Sequence, residues 1–153
     1  MKNTRFASIF SSGLVACALA IGTLASTQPA SAQNGTAIAE VNIPFAFQTG
    51  AQTLPAGMYR IDRESNHLIL LRGPGKAEGF VEMYSTVKTH PDDHGSIVFN
   101  RYGDKYFLRQ LWTAGEKNGL ECPKSRAEKE TLQANNHQNP SSTELALNSV
   151  SQH

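Results

Sequence analysis

The chain has 153 residues, with 14 Lys and Arg against 13 Asp and Glu, 39% hydrophobic residues and two cysteines. That length supports one domain once a targeting segment is set aside. Basic and acidic residues are interspersed, with no basic stripe to follow a phosphate backbone, so nucleic acid is not an expected partner.

Residues 1–32 read as a secretory signal peptide. Lys2 and Arg5 form a short basic start, Phe6 to Leu24 is apolar or small, and Ala30-Ser31-Ala32 offers the small-x-small pattern for cleavage after Ala32. Leu14-Val15-Ala16-Cys17 also fits a lipoprotein box, which would leave Cys17 lipidated. Against it, the apolar run continues through Leu19, Ile21 and Leu24. An uncleaved anchor is a further rival, disfavoured by the Gly, Ser and Thr content. Cleavage removes two basic residues and leaves 12 against 13, a net charge of −1. The expected location is periplasmic or extracellular, with a lipid anchor through Cys17 as the alternative and no membrane span in the mature chain. Cys122 alone remains, so no internal disulfide can form, and a small buried cysteine is expected rather than a reactive thiol.

Residues 33–40 are small, polar and without period, and read as a linker. A single β-rich domain with a C-terminal helix is expected over residues 41–134. Val41 to Phe47 alternates, with Val41, Ile43, Phe45 and Phe47 inward, and Pro44 points to an edge strand because proline cannot donate to a ladder. Gln48 to Thr53 turns around Gly50, and Leu54-Pro55-Ala56-Gly57 makes a second tight turn. Met58 to Asp62 follows as a strand with Tyr59 and Ile61 inward. His67 to Leu71 is a short apolar run that reads as a buried strand. Gly73-Pro74-Gly75 closes it, and Phe80 to Val87 is the next strand, with Val81, Met83 and Val87 on one face and Phe80 and Tyr84 on the other.

The strongest pattern is Ile97 to Trp112, two β-rich runs around Gly103-Asp104, a hairpin with Gly supplying positive φ. Pairing across the turn places Ile97, Phe99, Tyr106, Leu108 and Trp112 on one face and Val98, Tyr102, Phe107 and Leu111 on the other, with Asn100 and Arg109 among them. A hairpin apolar on both faces belongs in the middle of a sheet. Ser125-Arg126-Ala127-Glu128 fits a capping box for a short helix to about Ala134. Residues 135–153 carry little to bury and read as a disordered tail. The expectation is a mainly β domain, a small antiparallel barrel or sandwich of about six strands with one short C-terminal helix.

Val41-Asn42-Ile43-Pro44-Phe45-Ala46-Phe47, Gly50, Thr53-Leu54-Pro55-Ala56-Gly57-Met58-Tyr59, Tyr106-Phe107-Leu108, Trp112 and Pro123-Lys124-Ser125-Arg126-Ala127-Glu128-Lys129-Glu130 together resemble an uncharacterised family of small exported bacterial β-rich proteins. The resemblance runs from Val41 to about Glu130 and implies no activity, since its shared positions are turn and core residues. Two departures stand out: the family pattern usually has an acidic residue where Ala46 stands and an aliphatic one where Cys122 stands. The second fits Cys122 as a packing residue.

Chemistry is sparse. His90-Pro91-Asp92-Asp93-His94 could supply metal ligands, with His67, His137 or His153 as the further ligand needed. A polar turn loop explains the same residues, so no metal or other cofactor is assigned. Gly73-Pro74-Gly75 with Gly79 lacks the following helix that a phosphate loop requires, and reads as a hairpin connection. Glu82 falls outward with Phe80 and Tyr84. No acid, base or nucleophile constellation is visible, so no catalytic residue is assigned and an enzyme is not expected. Phe80, Tyr84, Tyr102 and Phe107 lie opposite the cleaner apolar faces. Either the helix and the Leu120 segment cover them, or they form a contact patch for a partner protein, glycan or lipid. The leading expectation is a non-enzymatic exported domain that binds another envelope or extracellular component. The alternative is a small-ligand carrier with a cavity inside a barrel.

Overall fold

A computed structural model describes residues 35–50 and 52–150. The signal-peptide reading, Cys17 and His153 lie outside these residues. The described chain forms β1 (Thr36–Ile43), β2 (Phe47–Thr49), β3 (Gln52–Leu54), β4 (Gly57–Arg63), β5 (Leu68–Arg72), β6 (Glu78–Glu82), β7 (Tyr84–Val87), β8 (Ser96–Tyr102), β9 (Lys105–Trp112), β10 (Asn118–Glu121), α1 (Arg126–Ala134), β11 (Ser141–Ala146) and β12 (Asn148–Ser149).

These strands make two sheets consistent with a β-sandwich, and the sheets do not close into a barrel. One sheet has the order β12-β1-β4-β5-β6; the other runs β11-β8-β9-β10-β7, with the β2–β3 hairpin attached through a parallel contact of β2 with β9. The core lies between them. Val41, Ile43, Tyr59, Ile61, Ile69, Leu71 and Val81 from the first sheet meet Phe47, Leu54, Ile97, Phe99, Leu108, Leu111 and Leu120 from the second. Phe47 stands edge-on to both Tyr59 and Phe99, with ring centroids 5.3 Å apart in each case. Burying side chains of this size stabilises the fold by roughly 1.5–3 kcal/mol each relative to exposure.

There are more strands than the six expected because the chain changes sheets within runs that read as continuous. Val41 to Phe47 breaks at Pro44, where β1 ends in the first sheet and β2 begins in the second. Pro44 therefore ends a strand and does not mark an edge, since β1 is flanked by β4 and β12. Strand β1 also begins at Thr36, so most of the expected linker over residues 33–40 is paired backbone, with Ala39↔Ile61 and Glu40↔Arg60 across to β4. Phe80 to Val87 breaks at Met83, a fully buried residue at which β6 of one sheet passes into β7 of the other.

The central hairpin forms around Gly103, whose φ is 64°. A β-bulge corrects its expected faces. Phe99 pairs with Leu108 but Val98 pairs with Gln110, which leaves Arg109 as the extra residue. One inserted residue flips the alternation beyond it. Leu111, not Trp112, consequently joins Leu108 and Phe99 in the core.

Within the expected disordered tail, residues 141–146 and 148–149 form strands instead. Strand β11 pairs with β8 from Ser141↔Arg101 to Ala146↔Ser96, and β12 pairs with β1. A Schellman turn redirects the chain out of α1: the His137 N–H donates to the Leu132 carbonyl (3.0 Å) and the Asn136 N–H to that of Gln133 (3.1 Å). Asn136 holds the positive φ of 52° that such a turn needs. Leu145 and Leu147 pack against the core. The tail was unreadable by hydropathy because strand pairing satisfies backbone groups whatever the side chains are.

Candidate functional site

The four aromatic residues singled out in the sequence separate into two pairs. Tyr102 and Phe107 are buried, with rings edge to face at 5.7 Å. The capping box folds as expected, with the Glu128 N–H donating to Ser125 Oγ (3.1 Å), and this sets α1 over the outer face of the β8–β9 hairpin. Glu128 is 2% exposed and its Oε1 accepts from Asn100 Nδ2 (2.7 Å) and from the Tyr102 hydroxyl (3.2 Å). Beside it, bulged Arg109 donates to the Cys122 carbonyl and to Glu121 Oε1, each at 2.5 Å.

This layer holds the Tyr102 hydroxyl and the Cys122 thiol in their neutral forms. Burial, the Glu128 charge and the hydrogen bond to it push the Tyr102 hydroxyl up to about 12, with Arg109 pulling the other way. Burial first, and then Glu128, Glu121 and Glu82 against Arg109, push the Cys122 thiol up to about 11. A thiol kept protonated at neutral pH is a poor nucleophile. Cys122 packs in the core, as its residue type suggested.

Phe80 and Tyr84 form the other pair. They are 63% and 49% exposed, and among the described residues Met58 and Val87 are the other large apolar side chains as open to solvent. Phe80, Glu82 and Tyr84 follow one another at alternate positions, and the Tyr84 hydroxyl donates to Glu82 Oε1 (2.9 Å), a bond that raises the Tyr84 hydroxyl above its ordinary range. Strand β6 ends the first sheet and β7 ends the second. The ladder to β5 uses the odd-numbered residues, as the bond from the Met83 N–H to the His67 carbonyl (2.8 Å) continues it. Alternation then turns the N–H and C=O of Glu78, Phe80 and Glu82 toward the free edge. Among the described residues one of these groups is met: Gln52 Nε2 donates to the Glu78 carbonyl (3.0 Å). Gly79 makes room for that contact, because a Cβ there would collide with the Gln52 side chain.

Where the Gln52 cover stops, a cleft of about 280 Å³ opens, lined on one side by Phe80, Val81 and Glu82 and on the other by Thr49, Gly50 and Cys122 to Ser125. Thr49 is 2% exposed, and its hydroxyl has no hydrogen-bond partner among the described residues. A buried hydroxyl without a partner costs about 1–3 kcal/mol, and this one lines a cleft that reaches the free edge of β6. Thr49 carried no signal in the sequence beyond its place beside a turn glycine.

The remaining candidates lie elsewhere. His90 to His94 is an exposed loop tied down by the Lys88–Asp92 ion pair and by the Gly115 N–H on the Asp92 carbonyl (2.8 Å). No group of three or more His, Cys, Asp or Glu among the described residues is placed to hold a metal ion. Gly73-Pro74-Gly75 joins β5 to β6 as a hairpin connection, with Gly75 at a φ of 66°. Asp62, unnoticed in the sequence, is wholly buried and paired with Arg60 (2.8 Å) and Arg72 (2.7 Å). No helix among the described residues is long and apolar enough to cross a membrane. No protein-family model, no curated protein and no solved structure matches the chain.

Proposed function

We propose that the chain is an exported, non-enzymatic domain that binds another envelope or extracellular protein along the free edge of β6. The observation that carries this reading is the conjunction of Phe80 and Tyr84, open to solvent, with an edge strand whose outward backbone groups at Phe80 and Glu82 have no partner among the described residues. Soluble proteins normally blunt such edges. Strand addition to an open edge is a common way to recognise an extended segment, with backbone bonds giving affinity and flanking side chains giving selectivity. The carrier reading has less support, because Phe47, Tyr59, Phe99 and Met83 fill the space between the sheets. Export rests on the basic start, the apolar run and Ala30-Ser31-Ala32, and on the resemblance to small exported proteins. A photo-activatable side chain placed at Phe80 or Tyr84 in the producing cell should trap a discrete protein adduct. One placed at Ser142 on the opposite side should not. Adducts absent from both aromatic positions would contradict the reading.

A further inference from the structure

We infer that the segment received at β6 is basic, and that the cleft beside the edge takes one of its Lys or Arg side chains, with Glu82 at the mouth and the Thr49 hydroxyl within. This rests on the proposed strand addition and states what the added strand must carry.

The edge already shows one half of the recognition. Gln52 offers the Glu78 carbonyl an amide N–H at 3.0 Å, the bond a neighbouring strand would make there. Phe80 and Glu82, the next residues with outward backbone groups, lack that cover, and an extended chain continuing from Gln52 would meet them in turn. Its side chains would alternate between solvent and the cleft, so one of them enters between β6 and Cys122 to Ser125.

Charge decides which kind of side chain fits. The exposed row on the edge reads Glu78, Phe80, Glu82, Tyr84, two carboxylates alternating with two rings. Arg72 lies 3.8 Å from Glu78, whereas among the described residues one Glu82 oxygen accepts from the Tyr84 hydroxyl and from no cation. An ammonium or guanidinium group pairs with carboxylates and also with ring faces, so this row complements a strand of alternating basic residues. Lys124 lines the same cleft and opposes a cation. On the cleft wall at Cys122, Glu128, Glu121 and Glu82 act against a negative charge and Arg109 favours one. The Thr49 hydroxyl then has its missing partner, since its oxygen can accept from an incoming N–H.

Short capped peptides that alternate valine with lysine, glutamine or glutamate test this against the exported protein by fluorescence anisotropy. The lysine probe should bind about tenfold or more tightly than the glutamine probe, the gain expected of a charge-assisted hydrogen bond. The glutamate probe should bind more weakly than either. Thr49→Val and Glu82→Gln should each weaken binding of the lysine probe, and Glu82→Gln should remove most of the lysine preference while leaving the melting temperature unchanged. Equal binding of the lysine and glutamine probes would overturn the basic assignment and leave strand addition standing. Binding of the lysine probe that neither variant weakens would place it elsewhere and overturn the assignment as well. Failure of every probe would overturn both this inference and the function on which it rests.

Discussion

The two sides of the sandwich use the same device to opposite ends. On one side the chain passes from β11 through Leu147 to β12, and on the other from β6 through Met83 to β7, each time leaving one sheet for the other. The C-terminal crossing is polar and mostly exposed, yet it pairs with the edges of β8 and β1. The β6–β7 crossing exposes Phe80 and Tyr84 and has no strand beyond it among the described residues. Side-chain polarity therefore predicts neither side correctly. A polar strand is held by its backbone, and an aromatic strand is left open.

Removing the strap breaks the comparison most severely. Truncation after Ala134 withdraws Leu145 and Leu147 from the core and unpairs β8 along Ser96 to Arg101. Urea melts should show a loss of about 2–4 kcal/mol, from two half-buried leucines and an abandoned sheet edge. An unchanged midpoint would make the strap an ornament.

A pH series sharpens the comparison by loosening the layer under α1, from which the strap departs. Tyr102 rises from its ordinary 10.0 to about 12 and Cys122 from 9.0 to about 11, so both favour the neutral form in the folded state. Their contribution is complete below about pH 9 and is lost as pH climbs toward 12, because the unfolded chain gives up these protons first. Tyr102→Phe should flatten the upper part of that decline in urea midpoints measured against pH. A decline identical to that of the parent protein would contradict the assignment.

Smaller effects belong to the open side. Thr49→Val removes a buried hydroxyl without a partner and should be neutral or stabilising by up to about 1 kcal/mol. A marked loss in thermal melts would mean that the hydroxyl serves the fold. Replacing Phe80 and Tyr84 together by Ser should change stability by no more than about 0.5 kcal/mol, as expected for exposed positions. A larger loss would show that these rings belong to the core.

Much of the fold was legible where residue type and geometry agree. Gly103 marks its turn, Tyr59 and Ile61 alternate into the core, and Ser125 with Glu128 marks the start of α1. The errors share a cause, since each needed a partner distant in sequence. The bulge at Arg109 arises from the pairing of β8 with β9, and the turn at Met83 from the presence of a second sheet. The order of residues 141–149 comes from edges that only the folded chain presents. The site was half legible: Phe80, Glu82 and Tyr84 stood out as an outward row, whereas Thr49 and the cover given by Gln52 depend on how the β2–β3 hairpin lies against β6. Glu128 was read as a cap residue, and its buried role beneath the helix required Asn100 and Tyr102 to arrive from another strand.

The central claim is that β6 presents a free edge which an extended basic segment completes. Residue-resolved amide hydrogen exchange tests it directly, in the free protein and with the valine–lysine probe at saturation. The account predicts slow exchange at Val81 and Met83 in both states. Exchange at Phe80 and Glu82 should be fast in the free protein and become slow with the probe bound. Protection of Phe80 and Glu82 already in the free protein, or no change in them once the probe is bound, would contradict it.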